Sequence, residues 1–166
     1  FPYDCSVAIK VTLTDKLSVE LITTNLGNQS IEITQALHTY LPISDLDNAT
    51  IVGLEGMEYA DKLKAFARST EDRQSIDLKE PTDRVYFDHS DVLILNDQAR
   101  ETRVYKQNSG TTVIWNPGME TASNMADIGA ENFRGFLCIE AANAMEDKVI
   151  IEPGESFTLR QGVHSL

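Results

Sequence analysis

Apolar and polar residues alternate with period two along most of this 166-residue chain, the pattern of strands with one buried face. Val7, Ile9, Val11 and Leu13 alternate with Ala8, Lys10 and Thr12. Leu17, Val19 and Leu21 alternate with Ser18 and Glu20, and Ile31 and Ile33 with Glu32 and Thr34. Asp15-Lys16 and Asn25-Leu-Gly-Asn28 supply turns between these runs, with Gly27 free to take positive φ. The segment up to Tyr40 therefore predicts a meander of three strands.

Residues 84–88, 92–95, 102–107, 111–115, 136–144, 148–151 and 157–161 predict further strands. Asn108-Ser-Gly110 and Pro153-Gly154 read as turns. Helical signal is confined to single turns at 121–125 and 131–133, inside a long connection between Trp115 and Phe136. Such connections in sheet proteins often carry function. Residues 61–73 mix charges without a clean period and predict a strand edge plus an exposed loop. Short strands at this spacing make the expected fold an all-β antiparallel sandwich, one domain over residues 1–166.

Charge narrows the partners. Asp and Glu number 26 against 14 Lys and Arg, a formal net charge of −12. That field disfavours nucleic acid and anionic membrane surfaces, and no apolar run reaches the roughly 18 residues of a membrane span. Cys5 and Cys138 lie in apolar strand-like runs and read as buried free thiols of a reducing compartment, which points to the cytoplasm. The chain opens on Phe1 and enters a strand almost at once, so it reads as the C-terminal part of a longer sandwich. A sandwich lacking strands exposes a sheet edge, and that edge is expected to pair with a second copy.

One polar position stands out. Glu140 interrupts the apolar run Phe136-Leu-Cys-Ile-Glu-Ala-Ala-Asn-Ala144. Burial of an unpaired carboxylate is unfavourable and raises its pKa, and a raised carboxylate facing a cleft is equipped to act as a general base. Pairing to an arginine or to backbone donors is the competing structural role. His38, in Ile33-Thr-Gln-Ala-Leu-His-Thr-Tyr40, shares its alternation face with Ala36 and Tyr40; a strand histidine is more often a hydrogen-bonded core residue. Asp83 follows Pro81 at the start of a strand, where a turn-capping carboxylate is the ordinary reading.

Five pieces occur in order: Ala36-Leu-His-Thr-Tyr40, Gly53-Leu-Glu-Gly-Met-Glu-Tyr-Ala-Asp-Lys62, Glu80-Pro-Thr-Asp-Arg-Val-Tyr86, Trp115-Asn-Pro117 and Cys138-Ile-Glu-Ala-Ala-Asn-Ala144. Together they resemble the hexose-6-phosphate mutarotases (glucose-6-phosphate 1-epimerases) of the aldose-epimerase superfamily, the ending being more similar to the bacterial branch. The resemblance implies a twisted antiparallel sandwich that binds a hexose or hexose phosphate on a concave sheet. It implies Glu140 as the base that removes the anomeric hydroxyl proton, His38 as the acid that protonates the ring oxygen, and Asp83 as a ligand of sugar hydroxyls. It implies neither metal nor cofactor.

The departures count as well. The family has a further N-terminal portion with part of the sheet, a second active-site histidine and phosphate-binding arginines. His89 and His164 do not match that second position and read as solvated. Gly118 stands where the family often has an aromatic, a change expected to reshape the cleft wall. Lys62, Lys64 and Arg68 form the one modest basic cluster outside strands and read as a solvated loop, while Arg84 reads as the partner of a nearby acid, so the phosphate site is unassigned. Two other readings stand beside the epimerase: a sugar-binding module without catalysis, and a purely structural sandwich domain.

Overall fold

A computed structural model describes residues 2–89, 92–98 and 100–166. The strands are β1 (Cys5–Leu13), β2 (Leu17–Asn25), β3 (Ile31–Ile33), β4 (Gln35–Leu37), β5 (Tyr40–Pro42), β6 (Thr50–Val52), β7 (Glu58–Asp61) and β8 (Ala67–Thr70). They continue with β9 (Ser75–Asp77), β10 (Thr82–Tyr86), β11 (Leu93–Asp97), β12 (Arg100–Gln107) and β13 (Thr111–Asn116). After helix α1 (Gly118–Ser123) come β14 (Phe136–Asn143), β15 (Val149–Ile151) and β16 (Ser156–Ser165).

Two large antiparallel sheets pack face to face. The first runs β1-β2-β16-β12-β11-β6-β9; the second runs β4-β14-β13-β10-β7-β8, with β5 also paired to β14; β3 and β15 form a small ribbon. The expected antiparallel sandwich is therefore present. Ile114, Leu137, Ile139 and Tyr86 of the second sheet meet Ile51, Leu93, Leu95 and Val104 of the first in the main core. Successive side chains of a strand point to opposite faces, so Leu137, Ile139 and Ala141 turn inward and Cys138, Glu140 and Ala142 turn to the other face of the second sheet.

The three-strand meander does not form. β2 pairs with β1 on one side and with β16 on the other, and β3 pairs with β15. Alternation specifies which face of a strand is apolar and says nothing about which strand lies beside it. β1 ends the first sheet, and its Val7, Ile9, Val11 and Leu13 are 60%, 65%, 61% and 77% exposed. Leu21 and Val19, the register partners of Ile9 and Val11, pack against Leu37 and Ala141 of the second sheet.

Both remaining histidines depart from the expected solvation. His89 is buried, with Nδ1 2.9 Å from Thr112 Oγ1 and its carbonyl accepting from Lys106 Nζ at 2.8 Å. The turn expected after it, at Ser90 and Asp91, lies outside the described residues. His164 belongs to β16, opposite Arg103, and is half-buried; the terminal segment is the long partner of β2 and β12 and not a loose tail.

The connection from Trp115 to Phe136 is folded back by one side chain. Asn116 is buried; its Nδ2 donates to the carbonyls of Phe133 at 2.8 Å and Phe136 at 2.9 Å, and its Oδ1 accepts from Gly118 N at 2.9 Å. Gly118 has φ +66°, and a Cβ there would lie 2.5 Å from Pro81 Cγ. The glycine is thus required twice, by a left-handed backbone and by contact with the residue that precedes β10. Gly118→Ala should destabilise the fold by about 2 kcal/mol, a fall in Tm of roughly 4–8 °C by thermal unfolding. An unchanged Tm would show that the loop can re-route without loss.

Candidate active site

Register decides which side chains share the outer face of the second sheet. Asp83 stands opposite Trp115, Trp115 opposite Cys138, and Cys138 opposite Tyr40. Two residues along each strand, Ala60 stands opposite Val85, Val85 opposite Val113, and Val113 opposite Glu140. Ala60, Val85, Val113 and Ala142 make an apolar floor with Trp115 against it.

His38 is placed by an interruption. β4 pairs Leu37 with Ala141, the ladder lapses for two residues, and β5 resumes by pairing Tyr40 with Cys138. The register is the same on both sides of the lapse, so His38 stands across from Glu140. At the lapse, Thr39 N donates to Leu37 O at 3.0 Å while Thr39 O still accepts from Ile139 N at 3.3 Å. His38 Nε2 lies 3.5 Å from Glu140 Oε2, with the imidazole largely exposed and the carboxylate buried. Only one edge of the pair is wet.

Lys62 enters the site the same way. Asp61 at the end of β7 pairs with Arg84 of β10, so the next residue faces Asp83. Lys62 Nζ lies 3.0 Å from Asp83 Oδ1. Asp83 itself is in a strand and does not cap a turn. The two polar pairs line one open cavity of about 260 Å³, whose remaining walls are Tyr40, Trp115, Val113 and Met125. Tyr40, Trp115 and Phe136 form an aromatic cluster, with ring centres 5.1 Å apart for Tyr40–Phe136 and 6.0 Å for Tyr40–Trp115. A larger cleft of about 530 Å³ lies beside β15 and Lys106, but no acid–imidazole pair lines it.

Electrostatics separates Glu140 from Glu71, another buried glutamate. Burial pushes the Glu140 carboxyl up to about 7; Lys62 pulls against that rise and Asp83 adds to it. Among the described residues no hydrogen bond reaches its carboxylate, and His38 is its ion-pair contact. Glu71 is buried too, but Arg73 Nε at 2.7 Å, Tyr86 Oη at 3.0 Å and Arg84 Nη1 at 3.2 Å all donate to it. Burial pushes the Glu71 carboxyl up as well, yet Arg73 and Tyr86 outweigh burial and hold it below its ordinary value. Glu71 is a satisfied anion, whereas burial without donors leaves the Glu140 carboxyl with its pKa raised toward neutrality. Burial pushes the Cys138 thiol up, so it stays protonated beside Glu140 and has no nucleophilic character.

His38, Asp83 and Glu140, the three residues singled out in the sequence, line this one cavity. Lys62 does too, against its expected place in a solvated loop. Its position within Gly53–Lys62 marked the segment, but only the pairing of β7 with β10 brings it to Asp83. Arg68 does lie at the surface, bound to Glu58 at 2.5 Å and to Glu146. Arg84 is neutralised by Glu71 and Asp61, as its neighbourhood of acids suggested. Among the described residues no group of three or more His, Cys, Asp or Glu is arranged to hold a metal ion, and no helix is long and apolar enough to cross a membrane.

An arrangement of this kind can take a proton at one edge of a bound molecule and deliver one at another. Comparison with known proteins points the same way. The aldose 1-epimerase family profile matches residues 1–164. A protein of Cenchrus ciliaris named "putative glucose-6-phosphate 1-epimerase" is 32% identical over 159 residues, which cover 95% of this chain and 48% of that protein. An Escherichia coli K12 protein of the same name is 31% identical over 121 residues, covering 72% of this chain and 41% of that protein. The solved structure of the "putative mutarotase (YeaD)" of Salmonella typhimurium superposes with a TM-score of 0.89 at 22% identity, covering 99% of this chain and 55% of that one. At that identity the superposition speaks for the fold. The chain spans about half the length of the curated relatives it matches. Its sequence match over nearly every residue, carried on the same sandwich, makes the chain a member of the aldose 1-epimerase family.

Proposed function

We propose that the protein interconverts the α and β anomers of aldohexose 6-phosphates, D-glucose 6-phosphate foremost, by acid–base ring opening and closure. The observation that carries this reading is the His38–Glu140 pair, 3.5 Å apart, with the carboxyl pushed up to about 7 by burial. Glu140 removes the proton of the anomeric hydroxyl, and His38 gives a proton to the ring oxygen as the C1–O bond to it breaks. The open aldehyde turns about the C1–C2 bond. Closure on its other face returns both protons, so the reaction consumes nothing. Glu140 exchanges its proton close to neutral pH, where a general base is most effective. Asp83 accepts hydrogen bonds from sugar hydroxyls, and the aromatic cluster at Tyr40 offers an apolar face to the ring's C–H surface. The family match supports the anomeric chemistry, and the names of the two relatives support the 6-phosphate.

A second reading has one observation in its favour. The chain covers only 48% of the Cenchrus ciliaris relative. On that reading the cavity grips a sugar without turning it over. Calorimetry would then find hexose binding with no rate enhancement, and binding would survive His38→Ala.

Three measurements test the catalytic reading. Glu140→Gln should lower the rate of glucose 6-phosphate anomerisation, followed by polarimetry or NMR, by about 10² or more, and His38→Ala by a comparable factor. Retention of activity by Glu140→Gln would remove the base from its role. The wild-type rate should fall as pH drops through about 7, where Glu140 takes up its proton. The same substitution should stabilise the protein in alkaline solution. The folded carboxyl titrates at about 7 and the unfolded one at 4.5, so between those values the folded state holds the extra proton. The contribution of Glu140 is intact below the lower value and lost as pH climbs through the upper one. Above it the buried anion costs about 3 kcal/mol, which Gln relieves. Thermal unfolding should therefore favour Glu140→Gln near pH 8 and show little difference near pH 4.

A further inference from the structure

Lys62 has no place in the reaction as written, yet the fold takes trouble to aim it. β7 ends at Asp61, whose side chain accepts from Leu63 N at 3.1 Å and whose carbonyl accepts from Phe66 N at 2.9 Å. The chain then turns back into β8 of the same sheet through Ala65 and Phe66, both non-glycine residues with left-handed φ of 50° and 62°. Side chains with a Cβ adopt that conformation at an energetic cost, which surrounding bonds must hold in place. The product of this tightly tied turn is an ammonium group 3.0 Å from Asp83 Oδ1, in the same cavity as Glu140. Lys64 and Arg68, the other cations of this segment, turn away to Asp61 and to Glu58 and Glu146.

Two carboxylates facing one small cavity repel each other, and desolvation adds to the preference of one of them for the neutral form. We propose that Lys62 is a positioning residue of this site, a single cation shared by the Asp83 and Glu140 carboxylates that lets both be anionic at once. The inference rests on Glu140 serving as the base. Without Lys62, the charge on Asp83 would reach Glu140 unopposed and the base would sit protonated at neutral pH. Lys62 also holds the Asp83 side chain toward the cavity, where it meets sugar hydroxyls. The ionisable groups that face Glu140 are His38 from the β4–β5 break, Tyr40 from β5, Lys62 from the turn after β7, Asp83 from β10 and Cys138 from its own strand. Lys62 is the one ammonium among them, and it is the influence that opposes burial on that carboxyl.

The test is a direct titration of Glu140 by NMR with isotope-labelled glutamate, its signal assigned by loss in Glu140→Gln. In Lys62→Met the titration midpoint should move to higher pH by roughly one unit, the size expected for loss of a nearby opposite charge. Lys62→Arg, which keeps the charge, should restore it. The same shift predicts an activity loss of about five-fold near pH 7 in Lys62→Met that nearly vanishes near pH 9, where the carboxyl is ionised in both proteins. A midpoint that stays put in a folded Lys62→Met protein overturns the inference. So does an activity loss equal at both pH values, which would make Lys62 a plain binding contact. If Lys62→Met should fail to fold, Lys62→Gln and the Arg variant carry the same comparison. A midpoint that moves while Glu140→Gln remains active leaves Lys62 in its electrostatic role and removes the base assignment instead, so the two claims fail separately.

Discussion

A buried carboxylate that receives no hydrogen bond among the described residues, held on a strand whose outer face meets one cavity, is the constraint around which the rest of this molecule is arranged. Such a group is unfavourable to bury, and a fold keeps it only where its surroundings are fixed by other forces. Here they are fixed by the sheet. β14 is flanked by β13 on one side and by β4 and β5 on the other, and Leu137, Ile139 and Ala141 anchor it in the core from beneath. With that anchorage, Cys138 and Glu140 have no choice of face. The interruption between β4 and β5 then exposes an imidazole beside the acid without changing register, which keeps one side of the pair in contact with solvent.

Two of the buried glutamates, Glu71 and Glu140, show how environment assigns a role to one residue type. Glu71 receives donors from two arginines and a tyrosine, and it ties β8 and β9's connection to β10. Its charge is satisfied and its function is architectural. Glu140 keeps its lone pairs unspent. Counting hydrogen bonds to each carboxylate separates the pair more sharply than burial does, because both are nearly inaccessible.

The roof of the cavity depends on a different kind of economy. Asn116 uses both ends of one amide to fold a connection of some twenty residues back over the sheet, and Met125 reaches the cavity from it. Gly118 makes that return possible where it grazes Pro81, just ahead of Asp83. Gly118 lines a separate pocket with Pro81 and Phe133 and is not part of the lining of the Glu140 cavity, so the change expected at the cleft wall falls on the backbone between two motifs.

Local pattern was enough to read much of this. The alternation at Leu17–Leu21 and the covered run around Glu140 declared strands, and the type and order of the motifs around His38 and Asp83 selected the residues that share the cavity. Neighbours were another matter. The meander of the first strands, the solvation of His89 and the idle loop at Lys62 were each expected from adjacent residues, and each was decided by a strand far along the chain: β16 beside β2, Thr112 beside His89, β10 beside Lys62. Alternation is a property of one strand, since it records only which side of that strand meets water. Register is a property of two, and it is settled when the whole core closes, which is why the acid could be found by reading and its cation could not.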